Sequence, residues 1–336
     1  MIGIGVVGYG YWGPNLVRNF FATKGAKVTV VCDLFQNRLN IVENSYPGIK
    51  VCNNVEDLLN DRSVDAVCIA TPVSSHFEIA QKALNAGKHV LVEKPMTSTV
   101  EQAEVLLELA SKRNLTLMVD HTFLFMGAVQ KIKSVIESGE LGDVYYYDST
   151  RINLGLFQND VNVIWDLAVH DLSLIEFLFP YKPVAVSATG ISHLGGNIEN
   201  IAYLTYFFQE NAIAHINVNW LSPVKLRQTL IGGSKKMILF DDLHQSEKIR
   251  IYDRGISLVS DPERRYKFMV DYRTGDMCAP CYDRKEALLV EAEHFVNCIN
   301  ENLQPVTDGL MGLRIVKALA AANQSLKNQG QLVKFG

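Results

Sequence analysis

The sequence predicts a two-part α/β protein. Residues 1–121 read as an N-terminal doubly wound parallel sheet, and residues 122–336 as an α+β domain with a largely antiparallel open sheet. Three observations predict this. A G-x-G-x-x-G run, formed by Gly8, Gly10 and Gly13, follows an apolar stretch at the start of the chain. Up to about residue 120, short apolar runs alternate with stretches of helical spacing, the rhythm of parallel βαβ units with right-handed crossovers. Beyond about residue 180, strand-like runs rich in Val, Ile, Tyr and Thr follow one another directly, which suits hairpins.

Residues 2–7 form the first apolar run, and residues 15–22 turn helical after the glycines. Residues 28–32 read as the second strand and end at Asp33. A short helix is expected at 55–59 and a buried strand at 65–70, ending in Thr71-Pro72. A helix over 77–86 stops at Gly87. The strand 89–93 leads into Lys94-Pro95, followed by a helix at 101–113 and a strand at 115–119. Further on, 128–138 is helical, 144–152 alternates as a strand, and a second helix spans about 165–179. Strands are expected at 184–192, 200–208, 213–220 and 226–232, with shorter ones at 237–240 and 249–252. Helices over about 285–300 and 310–327 close the chain, and the polar stretch 261–282 reads as a mobile loop.

Composition narrows the function. The 48% hydrophobic content is that of a globular protein, and 336 residues suit two domains. A net charge of -4, from 32 basic and 36 acidic residues, argues against nucleic acid and anionic membrane as partners. No apolar run approaches the ~20 residues of a membrane span. No basic segment precedes the first apolar run, so a cytoplasmic location is expected. Of the six cysteines, Cys32 and Cys68 lie in strand-like runs, where Cys acts as a small hydrophobe. Cys278 and Cys281 form a lone C-x-x-C with no second pair, so two reduced thiols are expected. Asp171 beside His170 has no third ligand in register, and no metal is expected.

Strand, glycine turn and helix together form a dinucleotide-binding fingerprint. Gly8 makes the tight turn, Gly10 lets the backbone approach a pyrophosphate, and Gly13 lets helix and strand pack closely. Asp33 stands twenty residues beyond Gly13, the usual separation for the acid that binds the ribose hydroxyls. A carboxylate there repels a 2′-phosphate, which favours NAD over NADP, although Arg38 stands nearby. Reactions on this fold occur at the carboxyl ends of the strands, where Lys94 is expected. A lysine there favours the alkoxide form of a substrate hydroxyl. Pro95 fixes the turn, at a position open to a cis bond. Asp166 and His170, four apart on a helix, share one face, and a histidine there can take and return the hydroxyl proton. Arg151, Asn153, Asn159, Asp160 and Asn162 crowd one loop that could hold a polyhydroxyl ligand. Trp165 and Trp220 read as core residues or as stacking platforms for a sugar.

With these residues in place, the chain resembles the glucose–fructose oxidoreductase / inositol dehydrogenase / rhizopine catabolism (Gfo/Idh/MocA) family. The resemblance rests on Gly8-Tyr-Gly-Tyr-Trp-Gly13, Asp33, Ala70-Thr-Pro72 with His76, Glu93-Lys-Pro95, and Asp166-x-x-x-His170. It implies a Rossmann domain with a cofactor site formed by Gly8, Tyr9, Gly10, Tyr11, Trp12, Gly13, Asp33, Thr71, Pro72, His76, Glu93 and Lys94. It also implies Lys94 and His170 flanking the nicotinamide, Asp166 orienting the substrate, and Arg151, Asn153, Asn162 and Trp165 near the sugar. The run Asp120-His-Thr-Phe-Leu124 departs from the Gly-Phe-Asn-x-Arg of many relatives. With Arg151-Ile-Asn-Leu-Gly155 it resembles the bacterial nucleotide-sugar branch, whose members often act at C3. The expected activity is therefore an NAD(P)-dependent sugar dehydrogenase or ketoreductase, a homodimer or homotetramer built on the C-terminal sheet. A non-catalytic NAD-binding regulator and an NAD-assisted glycosidase are the alternatives.

Overall fold

The computed structural model describes residues 1–155, 160–193, 198–258 and 270–335. The chain forms two compact units. Unit 1 holds Met1–Phe125 and Lys285–Ala320; unit 2 holds Met126–Arg284 and Ala321–Gly336.

Unit 1 starts as β1 (Ile2–Val7), α1 (Gly13–Ala22), β2 (Ala26–Cys32), α2 (Gln36–Ser45), β3 (Lys50–Cys52) and α3 (Val55–Asn60). It continues with β4 (Ala66–Ile69), α4 (Val73–Asn85), β5 (His89–Glu93), α5 (Val100–Arg113) and β6 (Leu117–Asp120). A 3₁₀ turn, Thr122–Phe125, follows. The sheet is parallel throughout, in the order β3-β2-β1-β4-β5-β6. Strand order reverses between β1 and β4, and ligands of such sheets bind at that point. The strands β4 and β6 are buried at every residue, as expected of a sheet covered on both faces.

Unit 2 comprises α6 (Gly127–Glu137), β7 (Val144–Leu154), a π-turn (Ile164–Ala168) and α7 (Val169–Leu178). The strands β8 (Pro183–Ile191), β9 (Ile201–Phe208), β10 (Ile213–Asn219), β11 (Leu221–Gly233), β12 (Met237–Asp241) and β13 (Ile249–Tyr252) follow. Then come β14 (Gly255–Leu258), β15 (Val270–Arg273) and β16 (Met277–Cys278). The chain ends with α8 (Ala287–Glu301), α9 (Gly309–Lys327) and β17 (Val333–Lys334). Nine strands form one sheet, β16-β13-β12-β11-β7-β10-β9-β8-β17. Every pair is antiparallel except β7–β10. β14 and β15 pair separately.

The structure departs from the sequence expectations in several places. The expected boundary at residue 121 becomes a change of unit after Phe125, and the chain returns to unit 1 at Lys285. Helix α8 packs on α1, with Phe20 and Phe295 edge to face at 6.2 Å, so tertiary contact rather than chain order places it. The polar helix α2, which buries only Leu39 and Val42, has too weak an apolar stripe to be read from sequence. The helix expected at 165–179 opens with a π-turn before α7. Of the expected loop 261–282, residues 261–269 lie outside the described residues, and the remainder includes the strands β15 and β16.

Candidate active site

Three glycines shape the loop after β1, each for a different reason. Gly8 has φ +95, and a Cβ there would lie 2.5 Å from the Ala70 carbonyl oxygen, so β4 closes it off. A Cβ on Gly13 would overlap the Gly8 carbonyl oxygen, inside the turn itself. Gly10 is different. A Cβ there would meet only the Arg38 guanidinium, at 3.6 Å. Backbone carbonyls therefore explain Gly8 and Gly13, whereas a Cβ on Gly10 would make only an ordinary contact with Arg38. The helix that follows has no side-chain N-cap and no acid in its first turn, and Pro14 lies at its start. Its positive dipole end, behind the glycine loop, suits a pyrophosphate.

Asp33 lies at the end of β2 and is buried. Its Oδ2 accepts the Tyr9 N–H at 2.6 Å, and its Oδ1 accepts the Phe35 N–H at 2.9 Å. It thus serves both as a turn residue and as a carboxylate with lone pairs to spare. Arg38 reaches it at 3.2 Å and lies over the Phe35 ring. Tyr11 is exposed on the loop. His76 is buried, and its two ring nitrogens face the Thr71 and Pro95 carbonyls at 2.8 and 2.9 Å. This joins the Ala70-Thr-Pro72 turn to the Glu93-Lys-Pro95 turn, where the Lys94–Pro95 bond is cis. The expected cofactor residues Thr71, Pro72, Glu93 and Lys94 therefore meet at neighbouring strand ends. Trp12 Nε1 donates to Asp120 Oδ2 at 3.0 Å, which ties the glycine loop to the end of β6.

His121 follows Asp120. It is 1% exposed, and neither ring nitrogen has a protein partner among the described residues. Burial holds its pKa down to about 4. A base depressed from its unfolded value stabilises the fold less as pH falls from 6.5 toward 4, by up to about 3 kcal/mol. Urea unfolding at pH 5 and pH 7.5 should show that His121→Phe loses less stability on acidification than the parent chain.

In unit 2, every residue from Asn162 to Ile175 is buried except Asp166 and His170. The two polar residues expected to do chemistry are thus the ones this run presents. A π-turn carries Asp166 just before α7, a feature common at functional sites. Asp166 Oδ2 accepts Trp220 Nε1–H at 3.0 Å. Trp220 and Trp165 are both buried.

Arg151 and Asn162, expected near the substrate, both make bonds within unit 2. On β7, Tyr147, Ser149 and Arg151 alternate onto one face and converge on Asp171 of α7. Asp171 is 0% exposed and accepts Tyr147 Oη at 2.9 Å, Ser149 Oγ at 2.5 Å and Arg151 Nε at 3.1 Å. Asn162 donates to Glu199 and Asn323, and its Oδ1 accepts the Trp165 N–H at 3.3 Å. Asn153 Oδ1 is a buried acceptor with no protein partner among the described residues. Asp160 is exposed, and Asn159 lies outside the described residues. Sequence reasoning missed the anchoring role of Asp171; an acid inside an apolar helix, next to Val169 and Leu172, was the available signal.

No group of His, Cys, Asp and Glu suited to a metal occurs among the described residues. No described helix is long and apolar enough to cross a membrane.

Residues 2–121 match the family model "oxidoreductase family, NAD-binding Rossmann fold", and residues 129–239 match the "GFO/IDH/MocA C-terminal domain". The chain is 28% identical over 321 residues to the UDP-N-acetylglucosamine 3-dehydrogenase of Acidithiobacillus ferrooxidans, covering 94% of each protein. A crystal structure of that enzyme superposes with a TM-score of 0.81, covering 98% of this chain and 100% of that one, at 26% identity. The chain is also 24% identical to the scyllo-inositol 2-dehydrogenase (NAD(+)) of Bacillus subtilis, over 98% of this chain and 93% of that one.

Proposed function

Because the chain belongs to the Gfo/Idh/MocA oxidoreductase family, we propose that it is an NAD-dependent dehydrogenase or ketoreductase of a sugar or nucleotide-linked sugar. The reacting group is a ring carbinol, and C3 of a nucleotide-linked sugar is the favoured position. The UDP-N-acetylglucosamine 3-dehydrogenase aligned over nearly the whole chain supports that choice.

One observation carries the cofactor reading: Gly10 is open where Gly8 and Gly13 are closed, at an uncapped helix N-terminus. Asp33 supplies the carboxylate for the ribose hydroxyls, with Tyr9, Phe35 and Arg38 already donating to it. Arg38 is the observation that favours NADP, since a guanidinium beside Asp33 suits a 2′-phosphate.

A bound nicotinamide supplies the hydride acceptor and donor. The remaining chemistry falls to the chain. Lys94 holds the substrate oxygen and favours its alkoxide as the C–H bond breaks. His170 takes the hydroxyl proton, and returns it in the reverse direction. Asp166, held by Trp220, orients the substrate. Asn153 offers an acceptor to a sugar hydroxyl. The exposed face of the nine-stranded sheet, with Tyr145, Tyr203, Phe207 and Ile213, is assigned to self-association.

The test is titration with NADH, NADPH and candidate sugars. Gly10→Ala is expected to weaken NADH binding by at least about tenfold. Its melting should stay within the roughly 0.5 kcal/mol of an ordinary surface change. NADH absorbance should then rise when the parent chain meets a nucleotide-linked sugar and NAD. Equal NADH affinity in Gly10→Ala would remove the cofactor reading, and tighter binding of NADPH would reverse the choice of nucleotide. Release of a sugar with no net NADH would point to glycoside cleavage.

A further inference from the structure

Three carboxyl groups meet inside unit 1, and the chemistry proposed above uses none of them directly. Glu93 ends β5 and Asp120 ends β6, as direct neighbours in the parallel ladder. Glu291 comes from α8, far along the chain, and is 0% exposed. Its carboxyl lies within hydrogen-bonding reach of Asp120 and also faces Glu93.

The donors can be counted. Asp120 Oδ2 accepts Trp12 Nε1–H at 3.0 Å, and Oδ1 accepts the Thr122 hydroxyl at 2.5 Å. The Thr122 hydroxyl also faces Glu291, but its one proton makes the short bond to Asp120. Glu93 Oε2 accepts the Lys94 backbone N–H at 3.2 Å. Neither oxygen of Glu291, nor Oε1 of Glu93, has a protein donor among the described residues. Two carboxylates cannot bond each other, but a neutral acid can donate to a carboxylate. Asp120 has about four lone-pair sites, and the indole and hydroxyl fill two of them. A proton on Glu291 fills a third and spares Glu291 an unpaired buried charge.

We propose that Glu291 is a positioning residue for the cofactor site: its acid proton bonds Asp120 and holds it as the acceptor for Trp12 of the glycine loop. This rests on reading that loop as a nucleotide site.

The surroundings agree with a neutral Glu291. Burial raises its pKa well above the usual carboxylate value, and Asp120 adds to the shift. Glu93 is raised by the same two causes and lowered somewhat by Lys94. The other groups facing the cluster are His121 just after β6, kept neutral by burial, and the Cys68 thiol on β4, which burial pushes up. Helix α8 packs on both α1 and the Thr122–Phe125 turn, so Glu291 reaches Asp120 from the body that also supports the loop's own helix. A leucine in its place would fill the stripe of Leu288, Ala292 and Phe295 at lower desolvation cost. Packing therefore does not account for the acid.

Two variants test the assignment: Glu291→Gln, which keeps a donor but has no titratable proton, and Glu291→Leu, which removes the donor. The first readout is tryptophan emission of the unliganded chain across pH 5 to 10, with Trp12→Phe assigning the signal. The second is the NADH dissociation constant across the same range. In the parent chain, rising pH removes the Glu291 proton, shifts Trp12 emission and weakens NADH binding by roughly 2- to 10-fold, the worth of one hydrogen bond. Glu291→Gln should flatten both profiles. Glu291→Leu should show shifted emission and weakened binding at every pH, with its circular dichroism unchanged. A Gln variant that keeps the parent's pH dependence, or a Leu variant with parental emission and affinity, overturns the proposal. If no form of the chain binds NADH, the functional reading fails instead, and the emission profile still decides whether Glu291 holds Asp120 and Trp12.

Discussion

Lys94→Ala and His170→Ala are each expected to lower kcat by roughly 10²- to 10⁴-fold, with NADH still bound. Lys94 follows directly on the end of β5, in the turn that His76 braces through Pro95. The proposed pyrophosphate and ribose sites lie apart from it, on the glycine loop and at Asp33. His170 is one of the two residues that break the burial of 162–175, so its loss leaves the hydrophobic packing of α7 intact. Steady-state turnover against a nucleotide-linked sugar, alongside NADH titration of each variant, measures the two effects separately. Full turnover in both variants would remove the acid–base roles. Loss of NADH binding in both would show that the substitutions act on the cofactor and not on the hydroxyl.

Asp171→Ala is expected to cost about 3–5 kcal/mol of stability. The change deletes the shared acceptor of Tyr147, Ser149 and Arg151 and takes the carboxylate away from a buried guanidinium. The corresponding fall in melting temperature is roughly 10 °C for a unit of this size. The double variant Arg151→Met with Asp171→Leu removes both charges and should recover most of the loss. Calorimetry of the single and double variants checks this. A single variant that melts like the parent would mean that the pair does not anchor α7.

Much of this was legible in the chain because local chemistry constrains it. The glycine loop, the acid after β2 and the turn at Pro95 each need particular residues at fixed spacings, whatever packs around them. Other features had only a faint mark. Glu291 sits in the apolar stripe of α8, three residues after Leu288 and four before Phe295, and an acid in that stripe was the available clue. The convergence of Tyr147, Ser149 and Arg151 on Asp171 follows strand alternation, but which helix faces that strand is not local information.

The sequence alone determined the βαβ rhythm and the glycine turn with Asp33, because backbone geometry and side-chain period act within a few residues. The tertiary structure decided which loop glycines the backbone closes off, that Arg151 belongs to Asp171, and that α8 returns to unit 1 to bring Glu291 against Asp120. These depend on contacts between residues distant in the chain, and the burial that creates those contacts also removes water and makes each unpaired charge or proton costly.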